Sequence, residues 1–217
     1  METNCQAGQI IILNGAPRAG KSTIATAIQQ SFAGIWINLG VDLYVRYIVP
    51  EHLRPCIGLR PDAMRPDIEA YIPQFYAALY ETIAAHSRLG LNVVTDVGHH
   101  DAYSVPQTIL PQCARRLHGL PVLFVGVHCS LEVIMQRRNA GQTGREGEYV
   151  TDTPDTAIPL PVQLWQEVVH RHGIYDMEVD TTFNSAQACA EMIRQRLVDF
   201  EGQTAFQRLE VFYSGSS

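Results

Sequence analysis

Residues 10–32 read IIILNGAPRAGKSTIATAIQQSF, and the centre of that stretch decides the fold. Gly15 and Gly20 stand five apart, with Lys21 and Ser22 directly after. This is the G-x-x-x-x-G-K-S spacing of a phosphate-binding loop. The apolar run Ile10–Leu13 predicts a buried strand before it. Ile24, Ala27, Ile28 and Phe32 fall on one face of a predicted helix, residues 22–32, behind it.

Each position has a physical reason. Glycines at 15 and 20 admit backbone angles that side chains would forbid. The loop can then turn its N–H groups inward onto phosphate oxygens, and the following helix adds its positive N-terminal end. Lys21 has the reach for β- and γ-phosphates, and the Ser22 hydroxyl is a ligand for Mg²⁺. The expected nucleotide contacts are therefore Gly15, Ala16, Pro17, Arg18, Ala19, Gly20, Lys21, Ser22 and Thr23, with ATP and Mg²⁺ as cofactors. The bland alternative is a chance glycine-rich turn with a solvated lysine. The strand before and helix after argue against it.

The chain has 217 residues, 46% of them hydrophobic, enough for one domain with a sizeable core. A net charge of −6 argues against a nucleic-acid partner, which favours a basic surface. The five cysteines are scattered and form no C-x-x-C pair, so neither a disulfide framework nor a zinc site is expected. A reducing cytoplasm is the simplest setting. The polar N-terminus and short apolar run predict no signal peptide and no membrane partner. A homo-oligomer is compatible with all of this.

Further strands are expected at 35–39, 91–96, 121–128 and 177–181, with helices at 41–48, 68–89, 130–139, 160–172 and 185–200. Pro73 either kinks the third helix or begins it. Residues 49–66 read as a Pro- and Arg-rich loop. Strands alternating with helices imply an α/β fold in three layers, a central five-stranded parallel sheet with helices on both faces. Residues 140–159 are polar with three glycines and two prolines, and are expected to be a mobile lid. The tail, 201–217, is given no element.

A phosphate loop alone does not separate kinases, switches and hydrolases. Asp42, in NLGVDLYV, falls at the end of the second strand, on the edge where parallel sheets bind ligands. A carboxylate there can take the proton of an attacking hydroxyl. It can equally cap the next helix. Asp96 ends the third strand and can hold Mg²⁺ directly or through water, or simply start a turn. His99, His100 and Asp101 follow; they could line a substrate pocket, whereas adjacent side chains on a loop seldom converge on one metal ion. Arg137, Arg138 and Arg145 can close over phosphates and neutralise transferring charge. Otherwise the helix C-terminal dipole accounts for those on the helix. Aromatic and arginine residues from Tyr44 to Tyr76 are expected to wall the acceptor pocket, or to be core.

The pieces IIILNGAPRAGKST, WINLGVD, NVVTDV, VLFVGVHC with Arg137, and YDMEVDTT occur in order from about Ile10 to Leu197. In them the chain resembles the chloramphenicol phosphotransferase-like family of phosphate-loop kinases. The resemblance implies transfer of the ATP γ-phosphate to a hydroxyl of a small molecule, chloramphenicol in the namesake. It implies Asp42 as base, Lys21 and Ser22 on phosphate and Mg²⁺, and Arg137 at the lid, so Asp42, Lys21 and Arg137 are the expected catalytic residues; Asp96 on the metal and Arg145 on the nucleotide follow from the residues themselves. Pro17 and Arg18 depart from the small residues expected inside the loop, and the acceptor and lid segments look longer and differently composed. The acceptor is therefore left open among chloramphenicol, a sugar, a sugar nucleotide and another alcohol. A nucleotide-binding regulatory protein is the rival of a different class.

Overall fold

The computed structural model describes residues 6–61, 63, 65–105, 107–140, 158–199 and 202–214. Five strands form one sheet: β1 (Ile10–Asn14), β2 (Trp36–Asn38), β3 (Asn92–Val97), β4 (Val122–His128) and β5 (Met177–Asp180). Their order is β2-β3-β1-β4-β5, and every pair is parallel. Parallel strands all present their C-terminal ends at one edge, so Asn14, Asn38, Val97, His128 and Asp180 open onto a common rim.

β1 shows why the sheet is covered on both sides. Ile10 and Ile12 point into one core, and Ile11 and Leu13 into the other; all four are fully buried. Alternation of side chains along a strand, with apolar residues in both phases, demands a helical layer on each face. One layer holds α1 (Lys21–Ser31), α6 (Leu131–Asn139), α7 (Leu160–Val169) and α8 (Ala186–Val198). The other holds α2 (Val41–Tyr47), α3 (Pro66–Glu69), α4 (Ile72–Arg88), α5 (Ile109–Arg116) and α9 (Ala205–Ser214).

The expected strands and helices are present, with boundaries moved by no more than four residues. Pro73 lies in the first turn of α4, so a new helix starts there, and Pro66 begins the separate turn α3. Ser130 caps α6 by accepting the Val133 N–H. The stretch 49–66 contains two short 3₁₀ turns, Glu51–Leu53 and Cys56–Gly58. α5 was not expected; it buries Ile109, Leu110, Cys113 and Ala114 against the sheet side.

The tail is the larger departure. α9 docks on α5 and β4, and buries Phe206 and Leu209. Phe206 stacks with Tyr80 at 6.4 Å and meets Phe124 edge-on at 5.0 Å. Asp176 fixes the start of α9: one carboxylate oxygen accepts the Ala205 N–H at 2.6 Å, the other the Phe124 N–H at 2.7 Å. Most of the expected lid, residues 141–157 with Arg145, lies outside the described residues. No helix among the described residues is long and apolar enough to cross a membrane.

Candidate active site

The loop between β1 and α1 lies on the rim. Gly20, before α1, has φ 95°, a left-handed angle that suits glycine. Gly15 is required for a different reason: a side chain there would come within 2.4 Å of the Val127 carbonyl on β4. Arg18 also holds a positive φ, 70°, inside the loop. Its guanidinium donates to the Arg137 carbonyl, while Arg137 Nη1 donates to the Arg18 carbonyl at 3.1 Å.

Arg137 is thus not simply a solvated charge near a helix end. It also donates to Thr181 Oγ1 at 3.1 Å, to the Thr181 carbonyl at 3.0 Å and to Cys129 Sγ at 3.4 Å. Thr181 in turn donates to the Ala19 carbonyl at 2.7 Å. The ends of β4 and β5 and the end of α6 therefore grip the loop from below. A planar guanidinium, with several donors in fixed directions, serves that task where an ammonium would not. Arg138 is buried beside it.

Three charged groups converge at the other side of the loop. Lys21 Nζ donates to the Gly15 and Ala16 carbonyls at 2.7 and 2.9 Å. Ser22 donates to Asp96 Oδ2 at 2.7 Å. Asp42 lies in the first turn of α2, whose N-cap is Gly40, so Asp42 is not the cap. Its charge acts on both Lys21 and Asp96. Burial lowers the Lys21 pKa, and the charges of Asp96 and Asp42 oppose that. Burial raises the Asp96 pKa, against the pull of Lys21 and the Ser22 hydrogen bond. Desolvation moves both toward neutrality, and their mutual attraction holds them back.

Oxygen donors of this kind fit a hard divalent cation. A hydroxyl from the start of α1 and a carboxylate from the end of β3 share one edge of the loop. Among the described residues no group of three His, Cys, Asp or Glu side chains forms a metal cage. His99, His100 and Asp101 diverge accordingly: His99 bonds the Tyr80 hydroxyl at 2.7 Å, His100 the Leu59 carbonyl at 2.9 Å, and Asp101 is exposed. His100 does line a wall, packing on Tyr103 at 4.5 Å and on Trp165 of α7 at 5.0 Å. Phe75 and Tyr76 belong to the core on that face, Tyr76 fully buried.

Sequence reading missed a polar cluster on the same rim. Asn14, His128, His170, His172 and Tyr175 gather there. The signal was present as Asn14 directly before Gly15 and as three histidines flanking strands β4 and β5. Only tertiary contact joins residues more than 150 positions apart.

The comparisons agree with this architecture. A protein from two strains of Mycobacterium tuberculosis, provisionally named an O-phosphotransferase, is 26% identical over 93% of this chain and 88% of its own. The tunicamycin resistance protein of Deinococcus radiodurans superimposes with a TM-score of 0.57 at 17% identity, over 89% of this chain and 97% of that one. A shikimate kinase from Acinetobacter baumannii gives 0.54 at 14% identity, over 89% and 94%. These two likenesses are of fold. The model of the chloramphenicol phosphotransferase-like protein family matches residues 8–198. The chain belongs to the chloramphenicol phosphotransferase-like family.

Proposed function

We propose that this protein is an ATP-dependent kinase that moves the γ-phosphoryl group to a hydroxyl of a small molecule. One observation carries the reading: the turn that opens α2 and holds Asp42 packs on Asp96, whose carboxylate accepts the hydrogen bond of Ser22, next to Lys21. A carboxylate facing a phosphate loop is built for phosphoryl transfer more than for switching. Family membership and the provisional name of the mycobacterial relative support it.

The residues divide the work. The loop from Gly15 to Thr23 offers its amides to the triphosphate, and Lys21 brings a positive charge. Ser22 and Asp96 would hold Mg²⁺, which when bound supplies charge neutralisation across the phosphate oxygens. Asp42 orients the acceptor hydroxyl and takes its proton, a role worth roughly 10²–10⁴ in rate. Arg137 fixes the loop by holding its Arg18 carbonyl, so that the amides keep their aim. Residues 1–217 work as one kinase domain.

The acceptor is a small alcohol, with chloramphenicol and a sugar as the first two to try. His100, Tyr103 and Trp165 supply an aromatic wall for it. Four buried free thiols, Cys56, Cys113, Cys129 and Cys189, suit a reducing cytoplasm. The test is incubation with ATP, Mg²⁺ and a panel including chloramphenicol, sugars and other alcohols, read by mass spectrometry. A phosphate-sized gain on one acceptor, lost in Asp42→Asn, is expected. Nucleotide binding with no acceptor-stimulated ADP release on any panel member would favour a regulatory role instead.

A further inference from the structure

Asn14, the residue before the phosphate loop, opens a hydrogen-bonded chain that none of the steps above employs. It is fully buried at the end of β1. Its Oδ1 accepts the His99 N–H at 2.8 Å. Its Nδ2 donates to the Val169 carbonyl at 3.0 Å and to the Tyr175 hydroxyl at 2.8 Å. One carboxamide thereby joins the start of the loop, the segment leaving β3 and the end of α7.

The chain continues through Tyr175. Its hydroxyl lies 2.7 Å from His170 Nδ1 and 3.4 Å from the Val169 carbonyl. Having accepted from Asn14, the hydroxyl has one hydrogen to give, and the shorter, better contact takes it. His170 Nδ1 is then an acceptor, and the ring carries its hydrogen on Nε2. That Nε2 is enclosed and meets no hydrogen-bond partner among the described residues. A buried N–H without an acceptor bears the full desolvation penalty, and folded proteins keep few of them.

The position of the ring indicates what the N–H is for. It stacks on His128, at the end of β4, with centroids 4.0 Å apart. His128 is itself engaged, its Nε2 lying 2.5 Å from Glu178 Oε2. The Lys21 charge reaches His170, which therefore lies within the field of the loop lysine. Burial and the neighbouring imidazoles hold the His170 pKa down to about 3, so the ring is a neutral donor at ordinary pH. His170 follows α7, and α7 stands over the exit of β3: a side chain at Gly98 would meet the Trp165 ring at 3.0 Å. The ring itself stands at the β4 end of the rim, joined through Tyr175 to Asn14, the residue that leads into the loop.

We propose that His170 Nε2–H donates a hydrogen bond to an oxygen of the γ-phosphoryl group, with Asn14 and Tyr175 as positioning residues that set its tautomer and direction. The inference rests on the kinase reading and adds a phosphate contact to it. A donor placed on the terminal group senses its presence, so it separates triphosphate from diphosphate.

Calorimetry with Mg²⁺ and either the imido analogue AMPPNP or ADP tests this without any acceptor. His170→Phe is expected to weaken AMPPNP about tenfold, the worth of one hydrogen bond to a charged group, while ADP stays within about twofold. Tyr175→Phe, which removes the orienting hydroxyl, should lose a smaller part of the same preference. His170→Gln, which keeps an N–H near that place, should restore some of it; these two variants decide the matter if His170→Phe does not fold. Equal weakening of both nucleotides, or none, would overturn the inference while leaving the kinase reading intact; the second result would mean that a water satisfies Nε2. Failure of the unmodified protein to bind either nucleotide would overturn both.

Discussion

Asp96 occupies the space that a side chain on Gly40 would need: a methyl group at residue 40 would lie 1.9 Å from Asp96 Oδ1. The two residues come from different strand ends, and their approach places the turn carrying Asp42 against the Ser22–Asp96 pair. Gly40→Ala should therefore displace Asp96 or α2. The expected cost is about 1–3 kcal/mol of stability, as for overpacking, together with a large loss of turnover. Thermal unfolding and kinase assay of the same preparation check it; a fully active, fully stable Gly40→Ala would refute the proposed closeness.

Asp42→Asn removes the proton acceptor and keeps the shape. Asp42 is exposed and is not the cap of α2, so the melting temperature should hold. Turnover should fall roughly 10²–10⁴-fold. Lys21→Ala should be at least as damaging, because it also frees the Gly15 and Ala16 carbonyls.

Arg137→Lys tests the brace beneath the loop. A lysine cannot reproduce bonds to the Arg18 carbonyl, the Thr181 hydroxyl and the Thr181 carbonyl together. A rise in KM for ATP of about tenfold is expected, of the order of one lost charged hydrogen bond. Unchanged nucleotide kinetics would show that the loop holds its form without it.

Acid should destabilise this protein earlier than carboxylate titration alone would. His99 is pushed down to about 3 and His172 to about 4 by burial, from an ordinary 6.5. Their folded-state pKa values are depressed, so the unfolded chain binds the extra protons. The stability is complete above pH 6.5 and is lost as pH falls from there toward 3–4. Each group can contribute a slope of up to about 1.4 kcal/mol per pH unit. Urea unfolding at pH 7.5, 6 and 5 should show the decline, and His99→Gln should flatten it.

Phe206→Ala should cost about 3–5 kcal/mol, the usual range for an aromatic side chain in a core. Phe206 is buried between Tyr80 and Phe124, so the tail acts as part of the fold. Deleting residues 204–217 should lower the melting temperature further. A truncated chain of undiminished stability would mean that α9 contributes nothing.

Much of this molecule was legible in one dimension. The loop between Ile10 and Phe32 is local chemistry: glycine spacing, an apolar strand and an amphipathic helix lie within 23 residues. The strands of β1 and β4 carry their burial in their own composition. α5 was hidden because it is short, contains Pro111, and takes its form from the surface it covers. α9 was hidden because its apolar residues gain meaning only against Phe124 and Tyr80. Residues 141–157, most of the expected lid at 140–159, stay outside the described residues.

Local pattern in the chain was enough to set a phosphate-binding loop between a buried strand and a helix, and a sheet covered on both faces, because these depend on spacings a few residues long. Tertiary structure alone decided which distant groups meet that loop. Asp42 and Asp96 arrive beside Lys21, Arg137 beneath Arg18, and Asn14, Tyr175 and His170 in one chain, because parallel strands deliver their C-terminal ends to a single rim. Contacts across about 20 to 160 residues are fixed by packing and strand order, which no local pattern encodes.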